Sequence, residues 1–221
     1  FNSRATPFAD LSTNRLLRDT SALYNLFITV DTTQATANDR VKLFINGTQN
    51  TWDETTIDPA LNYDTFNASG NTFRIGRDRT ATAYLDGILA HTHFNDGTAY
   101  PASTFGETDS TSAIWKPKTA PSVTYGNNGF FLKFENSGAM GTDSSGNSNT
   151  FTVSGNLTQN VDTPSNNFAT MNPLHKGANV ALTNGNLTCT GSGSNASVAS
   201  TLAVSTGKWY WEAKLNSSTN N

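Results

Sequence analysis

The sequence predicts an all-β fold in which short antiparallel strands form a sandwich or a barrel. Short runs with two alternating faces recur at roughly ten-residue spacing, and Asn, Asp and Gly separate them. Charged residues make up only 14% of the 221-residue chain, and Thr, Asn and Ser are abundant instead. Thr suits a pleated surface, whereas Asn, Ser and Gly suit turns. No amphipathic helix of more than about two turns is visible.

Composition also excludes several classes of protein. The formal net charge is −3, and the 14 basic residues are scattered, which argues against nucleic-acid binding. No apolar run approaches the roughly 20 residues that a membrane helix requires, so no membrane insertion is expected. Cys189 is the single cysteine, so an internal disulfide is impossible. Aromatic residues at 10% indicate a folded chain.

The stretch 84–97, YLDGILAHTHFNDG, organises the prediction. Its side chains alternate between a more apolar face and a more polar face: Ile88, Ala90, Thr92 and Phe94 against Leu89, His91, His93 and Asn95. An Asp-Gly pair stands at each end, and such pairs supply the positive φ of tight hairpin turns. The pattern predicts a central strand that needs neighbouring strands and a second sheet.

Other strands are predicted in chain order on the same grounds. Before the central strand these are residues 23–31, 40–45 (closed by Asn46-Gly47) and 72–76. After it they are 129–135, 150–153, 180–190, 196–204 and 208–215. Residues 48–71, rich in Asn and Asp, are predicted to form a long loop at the rim, with a short strand within it as an option. Residues 111–124, with two prolines, are predicted to be a boundary.

The sequence shows no recognisable set of catalytic residues. Glycoside hydrolysis requires a pair of carboxylates, but Glu107 and Asp109 fall in a predicted loop and Glu212 stands alone. No Gly-x-Ser-x-Gly elbow is present, and no His lies near Cys189 in sequence. We therefore expect a protein that is not an enzyme.

Two groups of residues could hold a metal ion. Asp143, Asn147 and Asn149 form an oxygen-rich turn of the kind that binds calcium, although such side chains also bond their own turn without a metal. His91 and His93 have ligand spacing on one strand face, but zinc requires further ligands. For the histidines we favour a solvated or interface face. No other cofactor is expected.

Trp52 is the best candidate for stacking on a sugar ring, because it lies in the polar rim loop. Asp53, Asn62 and Tyr63 in the same loop complete the candidate glycan-binding set. Trp209 and Trp211 share a strand face, and aromatic residues so placed are usually part of a core. We therefore expect these two to be buried, with a platform for stacking on sugar rings as the alternative.

Several of these pieces, in this order, resemble known domains. RVKLFING at 40–47, TFRIG at 72–76 and the stretch 84–97 resemble the later strands of a laminin-G-like, or concanavalin A-like, lectin domain. FGETDSTSAIWKPK at 105–118 resembles the segment that follows this domain in marine phage structural proteins. NFATMNPL at 167–174, followed by NGNLTCTGSG and STGKWYWEAKL, resembles the opening of a SPRY domain.

The resemblance implies an antiparallel jelly-roll β-sandwich over residues 1–118, whose first strands would precede Phe1. A connecting β region at 119–175 and the first strands of a SPRY-like domain at 176–221 would follow. It implies a structural or adhesive protein of a phage tail fibre or similar virion appendage, located in the virion or outside the cell. The implied partners are other virion proteins, further copies of the chain (a trimer among the options) and cell-surface glycans. A bacterial surface adhesin or a carbohydrate-binding module is the alternative.

Overall fold

The computed structural model describes residues 10–19, 22–52, 54–57, 59–63, 72–78, 80–111, 113–160 and 169–217. These residues form small antiparallel sheets of two or three strands and contain no α-helix, only two 3₁₀ turns at Ala37–Asp39 and Ala102–Thr104. The all-β prediction is therefore confirmed, although these ladders do not close into a jelly-roll sandwich. Among the described residues, no helix has the length and apolar character needed to span a bilayer.

The chain divides into two compact units, Phe1–Phe168 and Ala169–Asn221. The described strands of the first unit are β1 (Asp10–Ser12), β2 (Leu26–Val30), β3 (Val41–Ile45), β4 (Thr48–Asn50), β5 (Glu54–Ile57), β6 (Thr92–Phe94), β7 (Gly106–Thr108), β8 (Trp115–Pro117) and β9 (Phe130–Leu132). The sheet order is β2-β3-β4 in one sheet, and β1 pairs with β5, β6 with β9 and β7 with β8. The β6–β9 ladder pairs residues before position 118 with residues after it. The domain boundaries at 118 and 175, which the family resemblance implies, stay a prediction.

The hairpin of β2 and β3 follows the sequence pattern closely. Leu26 pairs with Ile45 and Val30 with Val41, in a ladder without a bulge. Asn46 and Gly47 both have positive φ, 50° and 74°, as the tight turn between β3 and β4 requires. The predicted strands at 23–31 and 40–45 are therefore confirmed, each one or a few residues shorter than expected.

The predicted central strand over 84–97 is wrong in its first half. Only Thr92–Phe94 forms a strand, and Tyr84 contributes no more than an isolated bridge to Arg77. His91 has a φ of 47°, a left-handed conformation that interrupts the alternation of a strand. Residues 84–89 are exposed as a result. Residues 72–76 and 150–153, also predicted as strands, form none.

The core of the first unit lies around β9 and β3. Phe130, Phe131 and Leu132 expose only 3%, 5% and 2% of their surface, and Ile45 of β3 exposes 2%. The run GFFLKFE predicted a strand here, and the structure confirms it in shorter form. Every residue of β9 is buried, so this strand has neighbours on both of its faces.

The second unit contains two strand pairs. Its strands are β10 (Met171–Lys176), β11 (Val180–Thr183), β12 (Thr188–Gly191) and β13 (Val198–Ser200); β10 pairs with β13 and β11 with β12. The predicted strand at 180–190 is in fact this β11–β12 hairpin, because Asn184, Gly185 and Asn186 all take positive φ. Residues 208–215 form no strand within the described chain. The expectation that Trp209 and Trp211 are buried is wrong, since no neighbouring strand there covers them.

Candidate functional site

Asp143 is the centre of the best-formed polar cluster. Its Oδ1 accepts hydrogen bonds from the backbone N–H of Phe131 (2.8 Å) and of Ser145 (2.9 Å). Its Oδ2 accepts from the Ser145 hydroxyl (2.8 Å) and from the Asn149 N–H (2.9 Å). One carboxylate therefore closes the turn at 143–149 and attaches that turn to β9.

Asn147 and Asn149 extend this attachment to the loop that precedes β9. The side-chain amides of both residues donate to the Gly129 carbonyl, each at 2.9 Å. Asn147 also donates to the Gly126 carbonyl, and Asn149 donates to Asn127 at 3.0 Å. The sequence-predicted set of three is thus brought together in space. We call these three side chains the loop clasp.

The electrostatics of the loop clasp favour a structural role over calcium binding. Burial opposes ionisation of Asp143, but the hydrogen bonds from Phe131, Ser145 and Asn149 outweigh it and lower the pKa of the carboxyl. Calcium takes six or more oxygens, whereas these carboxylate oxygens already accept four bonds from N–H and O–H donors. No group of three or more His, Cys, Asp and Glu suited to a metal occurs within the described ranges. Of the two alternatives that the sequence leaves open, a calcium site and a turn that bonds itself, this geometry favours the second.

His93 is half-buried in an aromatic cluster, so the solvated face expected for it is wrong, and the alternative, an interface face, stays a prediction. Its ring stacks on Phe131 at 3.9 Å between centroids and lies 5.3 Å from Phe105. On the opposite face of β6, Phe94 packs against Phe130. The polar side of residues 89–95 predicted contact with solvent, but all three residues of β6 are half-buried. Side chains of the paired strand β9 pack beside those of β6. The spacing of residues within β6 does not indicate which side chains its partner strand brings.

The polar atoms of this cluster are held in their neutral forms. His93 Nδ1 and the Tyr125 hydroxyl are 2.8 Å apart, at hydrogen-bonding distance. Burial, and secondarily His91, lowers the pKa of His93 to about 4, and burial with a contribution from Asp143 raises that of Tyr125 to about 12. Burial also lowers the pKa of His91, whose Nδ1 is buried and has no hydrogen-bond acceptor or donor within the described residues.

The rim candidates are anchored at one end of the β2–β3 hairpin. Trp52 is half-buried, and its indole N–H donates to the Val41 carbonyl at 3.0 Å. The Asn62 N–H donates to the Thr32 carbonyl (2.8 Å), and the Thr32 hydroxyl donates to the Tyr63 carbonyl (2.9 Å). Since Thr32 follows β2 and Val41 begins β3, the two groups flank the same end of the hairpin. Asp53 lies outside the described residues.

Sequence reasoning missed Arg40 as the residue that organises this rim. Its guanidinium donates to three backbone carbonyls: Gln34 (2.8 Å), Ala35 (3.0 Å) and Pro59 (2.8 Å). The planar fork of an arginine suits several acceptors at once. An arginine at the start of a strand has no sequence pattern that distinguishes this role from ordinary exposure.

In the described part of the chain, the polar side chains with most hydrogen bonds hold loop backbone in place. The loop clasp and Arg40 do this by bonding to main-chain groups, and His93 of β6 and His91, which precedes that strand, lie among aromatic rings. This arrangement can present fixed loops to a surface, and none of these groups is placed as a nucleophile beside a general base. Comparison with known proteins found no matching family model, no matching curated protein and no matching solved structure.

Proposed function

We propose that this chain is a non-enzymatic structural and adhesive component of a phage virion appendage, such as a tail fibre, whose first region is a jelly-roll domain of the lectin type. The order of motifs at 40–47, 72–76, 84–97 and 105–118 supports the family assignment. The observation that carries the functional part is that Arg40 and the loop clasp make most of their hydrogen bonds to the backbone of loops. Loops fixed on a β scaffold are suited to contact with other surfaces.

Within this proposal, the rim formed by Trp52, Asn62 and Tyr63 is the contact surface for host glycans. The indole N–H of Trp52 is already bonded to Val41, so the ring is held in one orientation. A fixed aromatic ring offers a flat apolar face on which a sugar ring stacks, and ordering it on binding loses little conformational entropy.

The glycan contact is tested by binding to a glycan array with Trp52→Ala and, as matched control, Tyr84→Ala. Tyr84 is also an aromatic residue of the first unit and is 67% exposed, but it lies outside the rim. We expect Trp52→Ala to weaken binding about tenfold or more, the loss of roughly one stacking contact, and Tyr84→Ala to leave it unchanged. Equal binding by both variants would remove the rim as the glycan site.

The virion location is tested by electron microscopy with antibodies raised against the purified chain. Labelling of the appendages of intact phage particles supports the proposal. Labelling of a bacterial envelope in cells that carry no phage would contradict it and indicate the adhesin alternative. Co-purification with a hydrolase from the same organism would also contradict it and indicate a carbohydrate-binding module.

A further inference from the structure

Residues 208–215, KWYWEAKL, form the most exposed aromatic segment that the structure describes. Trp209, Tyr210 and Trp211 expose 68%, 82% and 80% of their surface, and Leu215 exposes 79%. The segment takes part in no strand ladder of residues 169–217. Several large aromatic side chains that are exposed next to one another indicate an interaction surface.

The sequence of this segment has the pattern of a strand with two different sides. Lys208, Tyr210 and Glu212 alternate with Trp209 and Trp211. The Tyr210 hydroxyl donates to the Glu212 carboxylate, so these two side chains lie on the same side. Aromatic residues favour strands, and a strand without a neighbour offers its N–H and C=O groups to another chain. Neither proline nor glycine interrupts residues 208–215.

We propose that residues 208–212 pair with the same residues of a second copy of the chain, as an antiparallel two-stranded ladder whose two-fold axis passes through Tyr210. In this register Trp209 of each copy lies directly opposite Trp211 of the other. Lys208 of each copy lies directly opposite Glu212 of the other. The two-fold axis makes each pair occur twice, as an isologous dimer requires.

Charge complementarity selects this register from its neighbours. Centring the ladder on Trp211 would place Lys208 opposite Lys214, and centring it on Trp209 would leave Lys208 and Glu212 without opposite charges. A parallel in-register pair would place lysine against lysine and glutamate against glutamate. Opposite charges and aromatic pairs directly across a ladder stabilise it, whereas like charges destabilise it. Only the arrangement about Tyr210 provides two Trp–Trp and two Lys–Glu pairs at once. The inference concerns the second unit and does not rest on the virion proposal.

Sedimentation velocity of the full chain across micromolar concentrations, with near-ultraviolet circular dichroism of the tryptophans, tests the proposal. We expect dimerisation with rising concentration, accompanied by a dichroism signal from the paired indole rings. Lys208→Glu and Glu212→Lys should each weaken the dimer about tenfold or more, since each creates two like-charge pairs. The double variant Lys208→Glu/Glu212→Lys should restore it.

Lys214→Glu is the matched control for charge. It changes the net charge by the same amount as Lys208→Glu in the same segment, but in the proposed register Lys214 faces Thr206 of the second copy. We expect the dimer of this variant to be within about twofold of the unchanged chain. A chain that stays monomeric throughout, a double variant that fails to restore association, or equal effects of Lys214→Glu and Lys208→Glu would each overturn the proposal. All these residues are exposed, so the unfolding midpoint of the monomer should not move and misfolding is separately detected.

Discussion

The two densest aromatic regions of the chain have opposite environments. In the first unit Phe130 and Phe131 expose 3% and 5% of their surface, whereas in the second unit Trp209 and Trp211 expose 68% and 80%. Both regions have the alternating pattern of a strand. The first pairs with β6, and the second has no neighbour in the described part of the chain. Burial is therefore determined by a second strand at a distance in sequence, and aromatic content alone does not predict it.

Phe131→Ala is the change that tests the buried side of this comparison most strongly. Phe131 stacks on His93 at 3.9 Å, and the Lys133 ammonium lies 5.6 Å from its ring centre. We expect the free energy of unfolding to fall by about 3–5 kcal/mol, the range for a large buried side chain cut back to alanine. Urea denaturation monitored by far-ultraviolet circular dichroism measures it.

Phe131→Leu is the matched control. It keeps most of the buried apolar area but loses the ring that stacks on His93, so we expect a clearly smaller loss than that of Phe131→Ala. A loss below about 1 kcal/mol for Phe131→Ala would show that this cluster does not hold the first unit together.

The pH dependence of stability should report the burial of His93. In the unfolded chain this histidine protonates near its ordinary pKa of 6.5, whereas in the folded chain the pKa is lowered to about 4. The unfolded state therefore binds more protons between these values, and stability falls as the pH decreases through this window. We expect a loss of about 3 kcal/mol from His93 between pH 6.5 and 4, with no further loss from it below pH 4. His91 contributes in the same direction.

Urea denaturation at a series of pH values, compared with His93→Gln, measures this dependence. Acidic residues titrate near the lower end of the window, so the difference between the two proteins is the quantity to examine. The glutamine variant should be less stable at pH 7 and should have a flatter profile between pH 6.5 and 4. Parallel profiles would mean that His93 is not buried in its neutral form.

The sequence predicted the parts of the fold that depend on local pattern and turn chemistry. The β2–β3 hairpin and the Asn46-Gly47 turn were predictable because alternation and turn residues are local. The strand expected over 84–97 was wrong because His91 adopts a φ of 47°, which no neighbouring residue indicates. The single strand predicted over 180–190 overlooks the β11–β12 turn, although Asn184-Gly185 is the same kind of turn signal as Asn46-Gly47.

The residues of the loop clasp were predictable from the sequence, but the role of their side chains was not. The sequence correctly grouped Asp143, Asn147 and Asn149, since they lie in one turn. It could not show that their bonds reach Phe131 and Gly129, because those contacts span 12 to 20 residues. Arg40 illustrates the same limit, since its bond to Pro59 is 19 residues away.

Asp143→Ala tests the polar support of the buried cluster and should have a smaller effect than Phe131→Ala. It leaves the N–H groups of Phe131, Ser145 and Asn149 without their acceptor, and we expect a loss of about 1–3 kcal/mol. Asp143→Asn, which keeps one oxygen, should lose less.

A calcium titration after removal of divalent ions should leave the melting temperature of the unchanged chain constant, because binding to the folded state would raise it. A rise of several degrees that disappears in Asp143→Ala would establish a calcium site here and contradict the loop clasp as a purely structural device.

Replacing the exposed tryptophans should have the smallest effect on folding, which completes the comparison of the two regions. We expect Trp209→Ser/Trp211→Ser to change the free energy of unfolding by no more than about 0.5 kcal/mol when measured below the concentration at which the chain associates. Val180→Ala is the control in the same unit, because Val180 is 4% exposed and its truncation should lower stability by about 1–2 kcal/mol. If the double tryptophan variant instead lost more than Val180→Ala, the indole rings would have to pack inside the folded monomer. The lack of a paired strand would then no longer explain the difference between the two aromatic regions.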